Sequence, residues 1–161
     1  MKNNVTKGLL FICFISLITA CNPKKTEPIA AVVDKEQIKK EIQAKEDEFA
    51  SLYNSGELKS IGYYADDAVT FYQNRAPLIG KEAREEFFNS DLISSSNKIS
   101  FSTNEIFISN DGNLVVEIGS YSVVDSTNTA VNTGNYMSLF EKRDGRYVCL
   151  RDMSASDMPL E

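Results

Sequence analysis

The sequence predicts an α+β domain in which the helices come before an antiparallel sheet. Between Ile38 and Tyr53 apolar residues recur at helical spacing, which places them on one face of a helix. After residue 98 the apolar residues alternate with polar ones instead, and this period of two is typical of strands. Turn signals at residues 110–113 and at Asp144-Gly145 separate the later strands. Helices followed by a meander of strands are the element order of an α+β fold.

The first helix is predicted to extend from Asp34 to Gly56. Asp34 suits the N-cap because its carboxylate can accept a hydrogen bond from the first turn, and Gln37 three residues later fits a capping box. Gly56 can adopt the positive φ of a helix C-cap at little cost. Lys and Glu occupy the positions between the apolar residues, so we expect them on the solvent-exposed faces.

A short second helix and the first strand are predicted directly after Gly56. Leu58, Ile61 and Tyr64 lie at helical spacing for two turns, and Asp66-Asp67 interrupts this period before a β-branched and aromatic run at 68–72. The two aspartates suggest a carboxylate pair for acid–base chemistry. However, adjacent strand residues point to opposite faces, and a junction between helix and strand favours hydrogen bonding within a turn.

A third helix is predicted from about Gly80, because Ala83 and Phe87 then share a face with Phe88 beside them. The strand that follows residue 98 changes its apolar parity, which predicts a β-bulge at residues 102–105. Further strands are predicted at residues 114–124, 135–142 and 146–153, with a polar loop at residues 125–133.

The N-terminal segment resembles a bacterial lipoprotein leader. Lys2 and Lys7 precede an apolar run at 9–20 that is too short to span a bilayer as a mature helix. The run ends in Ile18-Thr19-Ala20-Cys21, and small residues before a cysteine resemble a lipobox, in which Cys21 is lipidated and becomes the new N-terminus. An ordinary signal peptide is the alternative.

These features divide the chain into a signal peptide (1–20), a lipidated tether with prolines (21–33) and one domain (34–161). The lipid on Cys21 would hold the protein to a membrane of the cell envelope. Asn22 after the cysteine favours the outer membrane over the inner one.

The composition excludes several classes of function. The chain carries 23 acidic and 17 basic side chains without a basic cluster, so nucleic-acid binding is not expected. It contains no histidine, which removes the commonest general base, the usual zinc ligand and every Ser-His or Cys-His pair. Cys149 remains after Cys13 leaves with the leader and Cys21 takes lipid, and we expect it to be a small buried residue. The sequence predicts no metal and no cofactor.

Three motifs resemble the nuclear-transport-factor-2-like superfamily, in particular its SnoaL-like branch. They are the order of elements at residues 53–69, the Gly80-Lys81-Glu82-Ala83 helix start, and the hairpin at 134–153 with its Asp-Gly turn and Arg-Asp-Met ending. The resemblance covers about residues 36–157. It implies a cone in which a curved antiparallel sheet wraps around three N-terminal helices and leaves a pocket at its open end.

Ketosteroid isomerases share this fold and depend on an aspartate base and a tyrosine donor. The resemblance places Tyr72 where that base belongs and Phe49 where that donor belongs. Because a neutral tyrosine is a poor base and phenylalanine cannot donate, we do not expect the isomerase mechanism. The His-Asp pairing of several SnoaL-like enzymes is also absent.

The sequence leaves open which face of the last strand lines the pocket. If the face with Cys149 and Arg151 lines the pocket, Arg151 requires an anionic ligand or a carboxylate partner. An inter-strand ion pair with Glu117 or Asp125 is the structural alternative. The opposite phase places Asp152 inside.

We therefore expect an envelope-anchored domain that binds a small, partly apolar organic ligand. A histidine-independent cyclase, isomerase or hydratase is one alternative, and a protein-interaction module that dimerises through the sheet face is another. The candidate pocket residues are Tyr64, Tyr72, Phe88, Tyr121, Tyr136, Arg151 and Asp152.

Overall fold

The computed structural model describes residues 33–57, 62–94 and 96–159, with the side chains of residues 91–94 left out. The predicted leader, Cys21 and the tether up to residue 32 lie outside these ranges. The elements are α1 (Lys35–Ser55), β1 (Tyr64–Phe71), β2 (Leu78–Ile79), α2 (Gly80–Ser94), β3 (Lys98–Ile108), β4 (Leu114–Val124), β5 (Ala130–Arg143) and β6 (Arg146–Ser156). In these ranges no helix combines the length and the apolar character that crossing a bilayer requires.

The six strands form one curved, open sheet in the order β2-β1-β6-β5-β4-β3. Strands β3 to β6 form an antiparallel meander, whereas β1 pairs with β6 in parallel. Helix α1 packs across β3 and α2 packs across β1. This arrangement confirms the predicted α+β fold with helices inside a curved sheet.

Helix α1 has the predicted ends. The Asp34 side chain accepts a hydrogen bond from the backbone N–H of Gln37 at 3.0 Å. Gly56 has a φ of 79°, and its N–H caps the last turn. Both ends follow from local chemistry, which explains why the sequence predicts them correctly.

The segment after Gly56 differs from the prediction. Residues 58–61 lie outside the described ranges, and the described part of the chain therefore has two helices. Tyr64 was expected to be helical, but it begins β1. Asp66 and Asp67 lie within β1 rather than at its start, and both are exposed because the pairing with β6 shifts register between Tyr64 and Val69. A register shift lets adjacent residues share a face of the sheet. Because the two aspartates lie within a strand, the prediction that they form a turn is wrong.

The later strands follow the predicted pattern closely. The pairing of β3 with β4 shifts between Thr103 and Glu105, which confirms the predicted bulge. Residues 110–113 and Asp144-Gly145 form the two hairpin turns, and Gly112 and Gly145 have the positive φ that such turns need. Strand β5 starts earlier than predicted, at Ala130.

The free edge of β3 is covered by polar side chains of α1. The Gln43 amide accepts from the N–H of Thr103 at 2.7 Å and donates to the carbonyl of Phe101 at 3.3 Å. Asn54 forms the same two-way contact with the backbone of Ile99 at 2.8 Å in each direction. These amides satisfy backbone groups that an edge strand otherwise exposes.

Candidate functional site

A cavity of about 230 Å³ lies between the two helices and the inner face of the sheet. We call it the aromatic cavity, because most of its described lining consists of rings. The ring-bearing residues are Phe49, Tyr53, Tyr63, Tyr64, Tyr72, Phe87, Phe88, Phe101, Tyr121 and Tyr136. Many of these rings meet edge to face, which is a favoured geometry for aromatic pairs.

Six of the seven candidate residues contribute to this lining. They are Tyr64, Tyr72, Phe88, Tyr121, Tyr136 and Asp152. The seventh, Arg151, is exposed on the outer face of the sheet. The prediction that Arg151 lines the pocket is therefore wrong. The alternative phase of the last strand, which places Asp152 inside, is correct.

An irregularity in β6 causes this reversal. Phe140 of β5 pairs with Cys149, but the next pair joins Leu139 to Arg151, so Leu150 is an extra residue. Cys149 is therefore buried before the bulge, and Asp152 faces inward after it. Burial raises the pKa of the Cys149 thiol well above its usual range, which agrees with a structural role.

The ion pair considered for Arg151 is also not formed. Its guanidinium donates to the carbonyls of Leu150 at 2.6 Å and Asp67 at 3.2 Å. Glu117 is buried inside the sheet, and Asp125 accepts from the backbone and side chain of Thr127 in the loop before β5.

Two glutamates, Glu46 of α1 and Glu117 of β4, form a buried pair that we call the glutamate pair. The two residues are 1% and 0% exposed. Burial, and next the charge of Glu117, raises the pKa of Glu46 well above its usual range, and a side-chain hydrogen bond between the two acids acts in the same direction. Two adjacent buried carboxylates cannot both ionise cheaply, so Glu46 keeps a proton that it shares with Glu117 through this hydrogen bond.

Hydroxyl groups surround the glutamate pair. Tyr63 donates to Glu46 at 2.5 Å, while Thr103 and Tyr136 donate to Oε1 of Glu117 at 2.5 and 2.8 Å. Oε2 of Glu117 is buried and has no hydrogen-bond partner among the described residues. This oxygen is available to accept a hydrogen bond from a protonated Glu46 carboxyl group.

Asp152 is the second acidic group of the aromatic cavity. Its Oδ2 accepts a hydrogen bond from the Tyr64 hydroxyl at 2.9 Å. Burial raises the pKa of Asp152 to about 6, although Thr70, Tyr64 and Arg84 favour the ionised form. Burial also raises the pKa of Tyr64, so its hydroxyl remains a donor.

Arg84 of α2 is buried behind the cavity lining. The residue is 3% exposed, and its guanidinium donates to the carbonyls of Ala68 at 2.6 Å and Ala65 at 2.9 Å. The guanidinium carbon lies 4.6 Å from the centre of the Tyr64 ring, a distance at which a cation is attracted to the ring face. Arg84 thus fixes α2 to β1 and supplies a positive charge near Asp152.

Two glycines create the space that the tyrosines of β4 and β5 occupy. Gly119 pairs across the strands with Tyr136, and Gly134 pairs with Tyr121. A Cβ atom on Gly119 would lie 2.2 Å from the Tyr136 ring, and one on Gly134 would lie 2.6 Å from the Tyr121 ring. Each ring therefore lies across the glycine of the neighbouring strand, which sets its position in the cavity.

Phe49 and Tyr72 both line the aromatic cavity, at the positions where the resemblance to ketosteroid isomerases would place a donor and a base. Phe49 packs against Tyr63 with ring centres 5.2 Å apart, and Tyr72 packs against Phe87 at 4.9 Å. These residues supply apolar contacts in place of the isomerase groups.

The sequence does not mark Glu46, Arg84 or Tyr63 as site residues, and Glu117 is considered from it only as an ion-pair partner of Arg151. Glu46 lies four residues after Ile42, on the apolar stripe of α1, and Arg84 lies four residues before Phe88. A charged residue at a buried helical position was the available signal. Glu117 has no such signal, because the more apolar parity of β4 is the outer one.

Comparison with known proteins shows which solved structures share this fold. The sequence matches no protein-family model and no curated protein. Among solved structures, a protein of unknown function with a cystatin-like fold from Nostoc punctiforme is 14% identical, with a TM-score of 0.65 over 76% of this chain and 92% of that chain.

Two further neighbours have informative descriptions. A nuclear-transport-factor-2-like protein with a cystatin-like fold from Novosphingobium aromaticivorans is 12% identical, with a TM-score of 0.65 over 74% of this chain and 82% of that one. A ketosteroid isomerase-like protein from Erwinia carotovora atroseptica is 15% identical, with a TM-score of 0.61 over 79% of this chain and 100% of that one. The chain has the nuclear-transport-factor-2-like, or cystatin-like, fold, as predicted.

Proposed function

We propose that this domain binds a small, partly apolar organic molecule in the aromatic cavity. The observation that carries the proposal is the composition of the lining, in which ten rings surround a few polar groups that include Glu46, Asp152 and Asn132. Such a combination is typical of small-molecule sites, because the rings bury the ligand and the polar groups orient it. The volume of about 230 Å³ suits a ligand with one ring and a short substituent.

Binding of neutral probes by the purified protein tests this proposal. We expect 4-ethylphenol or indole to raise the melting temperature and to bind measurably by calorimetry. Ser154→Phe should abolish binding because Ser154 lines the cavity. Ala155→Phe is the matched control, because Ala155 is the next residue and is exposed on the opposite face. Equal binding by both variants would place the probe elsewhere and contradict the proposal.

A histidine-independent enzyme is the second candidate, and the acids favour it. The glutamate pair supplies a protonated carboxyl at the cavity wall, and Asp152, with a pKa of about 6, can accept a proton near neutral pH. Incubation with cyclic ketones in D₂O tests this possibility. Deuterium incorporation next to the carbonyl that Asp152→Asn abolishes would support an isomerase-type reaction.

The outer face of the sheet favours a homodimer. Phe71, Met153 and Met137 pair in register across β1, β6 and β5, and they are 40%, 54% and 44% exposed. A row of exposed apolar side chains on three adjacent strands suits a contact with a second copy. Light scattering should give a dimer mass for the wild type and a monomer mass for Met153→Lys; a wild-type monomer would exclude this interface.

The predicted lipid anchor completes the proposal. Cys21 and the tether would present the domain at the surface of an envelope membrane, the outer membrane in preference to the inner one. This part rests on the lipobox-like sequence alone.

A further inference from the structure

The charges around the aromatic cavity point to a particular class of ligand. Two carboxyl groups, Glu46 and Asp152, line the cavity, and no lysine or arginine of the described chain does so. The rings around these acids present negative π faces, which attract cations. A ligand that brought its own negative charge would meet no compensating cation in this lining.

Asp152 presents its carboxyl group to this space. Its Oδ2 is occupied by the Tyr64 hydroxyl, but its Oδ1 is buried and has no hydrogen-bond partner in the described residues. The Thr70 hydroxyl lies across the strand pair and favours the ionised form of Asp152, although it makes no full hydrogen bond with Oδ1. A buried carboxylate with so few donors is costly, and a donor carried by a ligand in the cavity would lower that cost.

The lining of the aromatic cavity carries the negative charge of Asp152 without a cation. Glu46 faces Asp152 from α1 and keeps its proton at pH values at which a free glutamate has lost it. Arg84 of α2 supplies a positive charge near Asp152 from behind the lining, while Tyr64 and Cys149 remain neutral at physiological pH. With Asp152 ionised, the lining therefore presents a carboxylate that a monocation complements.

We propose that the ligand of the aromatic cavity is a small aromatic amine in its protonated form, whose ammonium group donates to the carboxylate of Asp152. This inference rests on the proposed function, because it assumes that the cavity binds an organic molecule. The ring of the ligand packs among the cavity rings, and its ammonium group gains from both the carboxylate and the ring faces.

Three probes of nearly equal size separate the effect of charge from that of the ring. They are tyramine (a cation), 4-ethylphenol (neutral) and 4-hydroxyphenylacetate (an anion). By calorimetry at pH 7.5 we expect tyramine to bind at least tenfold more tightly than the anion, with 4-ethylphenol between them. Asp152→Asn should bring tyramine to the affinity of 4-ethylphenol, whereas Asp66→Asn, a control on the exposed face of β1, should leave the order unchanged.

The wild-type protein provides a second measurement that needs no variant. Tyramine keeps its charge between pH 5 and pH 7.5, but Asp152 takes up a proton as the pH falls through about 6. The tyramine affinity should therefore fall by up to about tenfold per pH unit below that point, while the 4-ethylphenol affinity changes little.

The outcomes separate the two proposals. Equal or tighter binding of 4-hydroxyphenylacetate, or a tyramine affinity that Asp152→Asn leaves unchanged, overturns the amine inference and leaves the binding function standing. Absence of binding by all three probes overturns both.

Discussion

Replacement of Glu46 by glutamine tests the shared proton at the centre of the domain. The introduced amide has nearly the shape of a protonated Glu46 side chain and can still donate to Glu117, but it does not titrate. In the wild type, the folded state keeps a proton on Glu46 at pH values at which an unfolded glutamate, with a pKa near 4.5, has lost it. The two proteins should therefore differ in how their stability depends on pH.

The size of this difference follows from proton linkage. Because the folded pKa lies above the unfolded one, the folded state binds the extra proton, and the free energy of unfolding falls as the pH rises through the interval between them. The slope approaches about 1.4 kcal/mol per pH unit for one proton. The contribution of Asp152 is present in both proteins and cancels in the comparison.

Urea unfolding at pH 5, 6 and 7 measures the effect. Relative to the wild type, Glu46→Gln should gain up to about 1.4 kcal/mol for each pH unit in this range. Glu48→Gln is the control on the same helix, since Glu48 is exposed and pairs with Lys45, and its stability should run parallel to that of the wild type. A constant difference between Glu46→Gln and the wild type from pH 5 to pH 7 would show that Glu46 is ionised in the folded protein and would refute the shared proton.

Three further changes test other parts of the structure. Gly119→Ala should lower the free energy of unfolding by about 2–4 kcal/mol in urea melts, because the new Cβ would displace the Tyr136 ring from its position; a loss below about 1 kcal/mol would contradict this role. Arg84→Met should raise the pKa of Asp152 above about 6, since it removes the nearby positive charge, and an NMR carboxyl titration that shows no rise would disprove the coupling. Cys21→Ser should release the protein from the membrane fraction, and globomycin should leave an unprocessed precursor of the wild type; a wild type that is already soluble would exclude the lipid anchor.

The sequence predicts those parts of the fold that depend on neighbouring residues. The caps of α1 at Asp34 and Gly56, the two hairpin turns and the bulge of β3 each follow from a short pattern. The structure confirms all of them because the chemistry that forms them is local.

The inner wall of the cavity depends on register, which a short pattern does not fix. One extra residue at Leu150 reverses the face of Asp152, and a shift in β1 exposes both Asp66 and Asp67. Reading alternation straight through these positions assigns the wrong face. The partner strand determines where the shift falls, so it cannot be located from β6 or β1 alone.

Buried charge is hard to predict for a related reason. Glu117 is tolerated inside because Thr103, Tyr136 and Glu46 come to it from three other elements. None of these residues is near Glu117 in the sequence, and the cost of burying each one alone would be high. Only the assembled set makes the position favourable.

The covered edge of β3 has a consequence for the protein at high concentration. A long strand with free backbone groups would recruit the same strand of a neighbouring molecule and begin a fibre. The Gln43 and Asn54 amides occupy backbone groups of β3 that a neighbouring strand would otherwise bond. The strand at the opposite edge, β2, has only two residues. Neighbouring copies can thus crowd together without extending one another's sheets, and loss of both amides should first appear as concentration-dependent aggregation, before any change in the cavity.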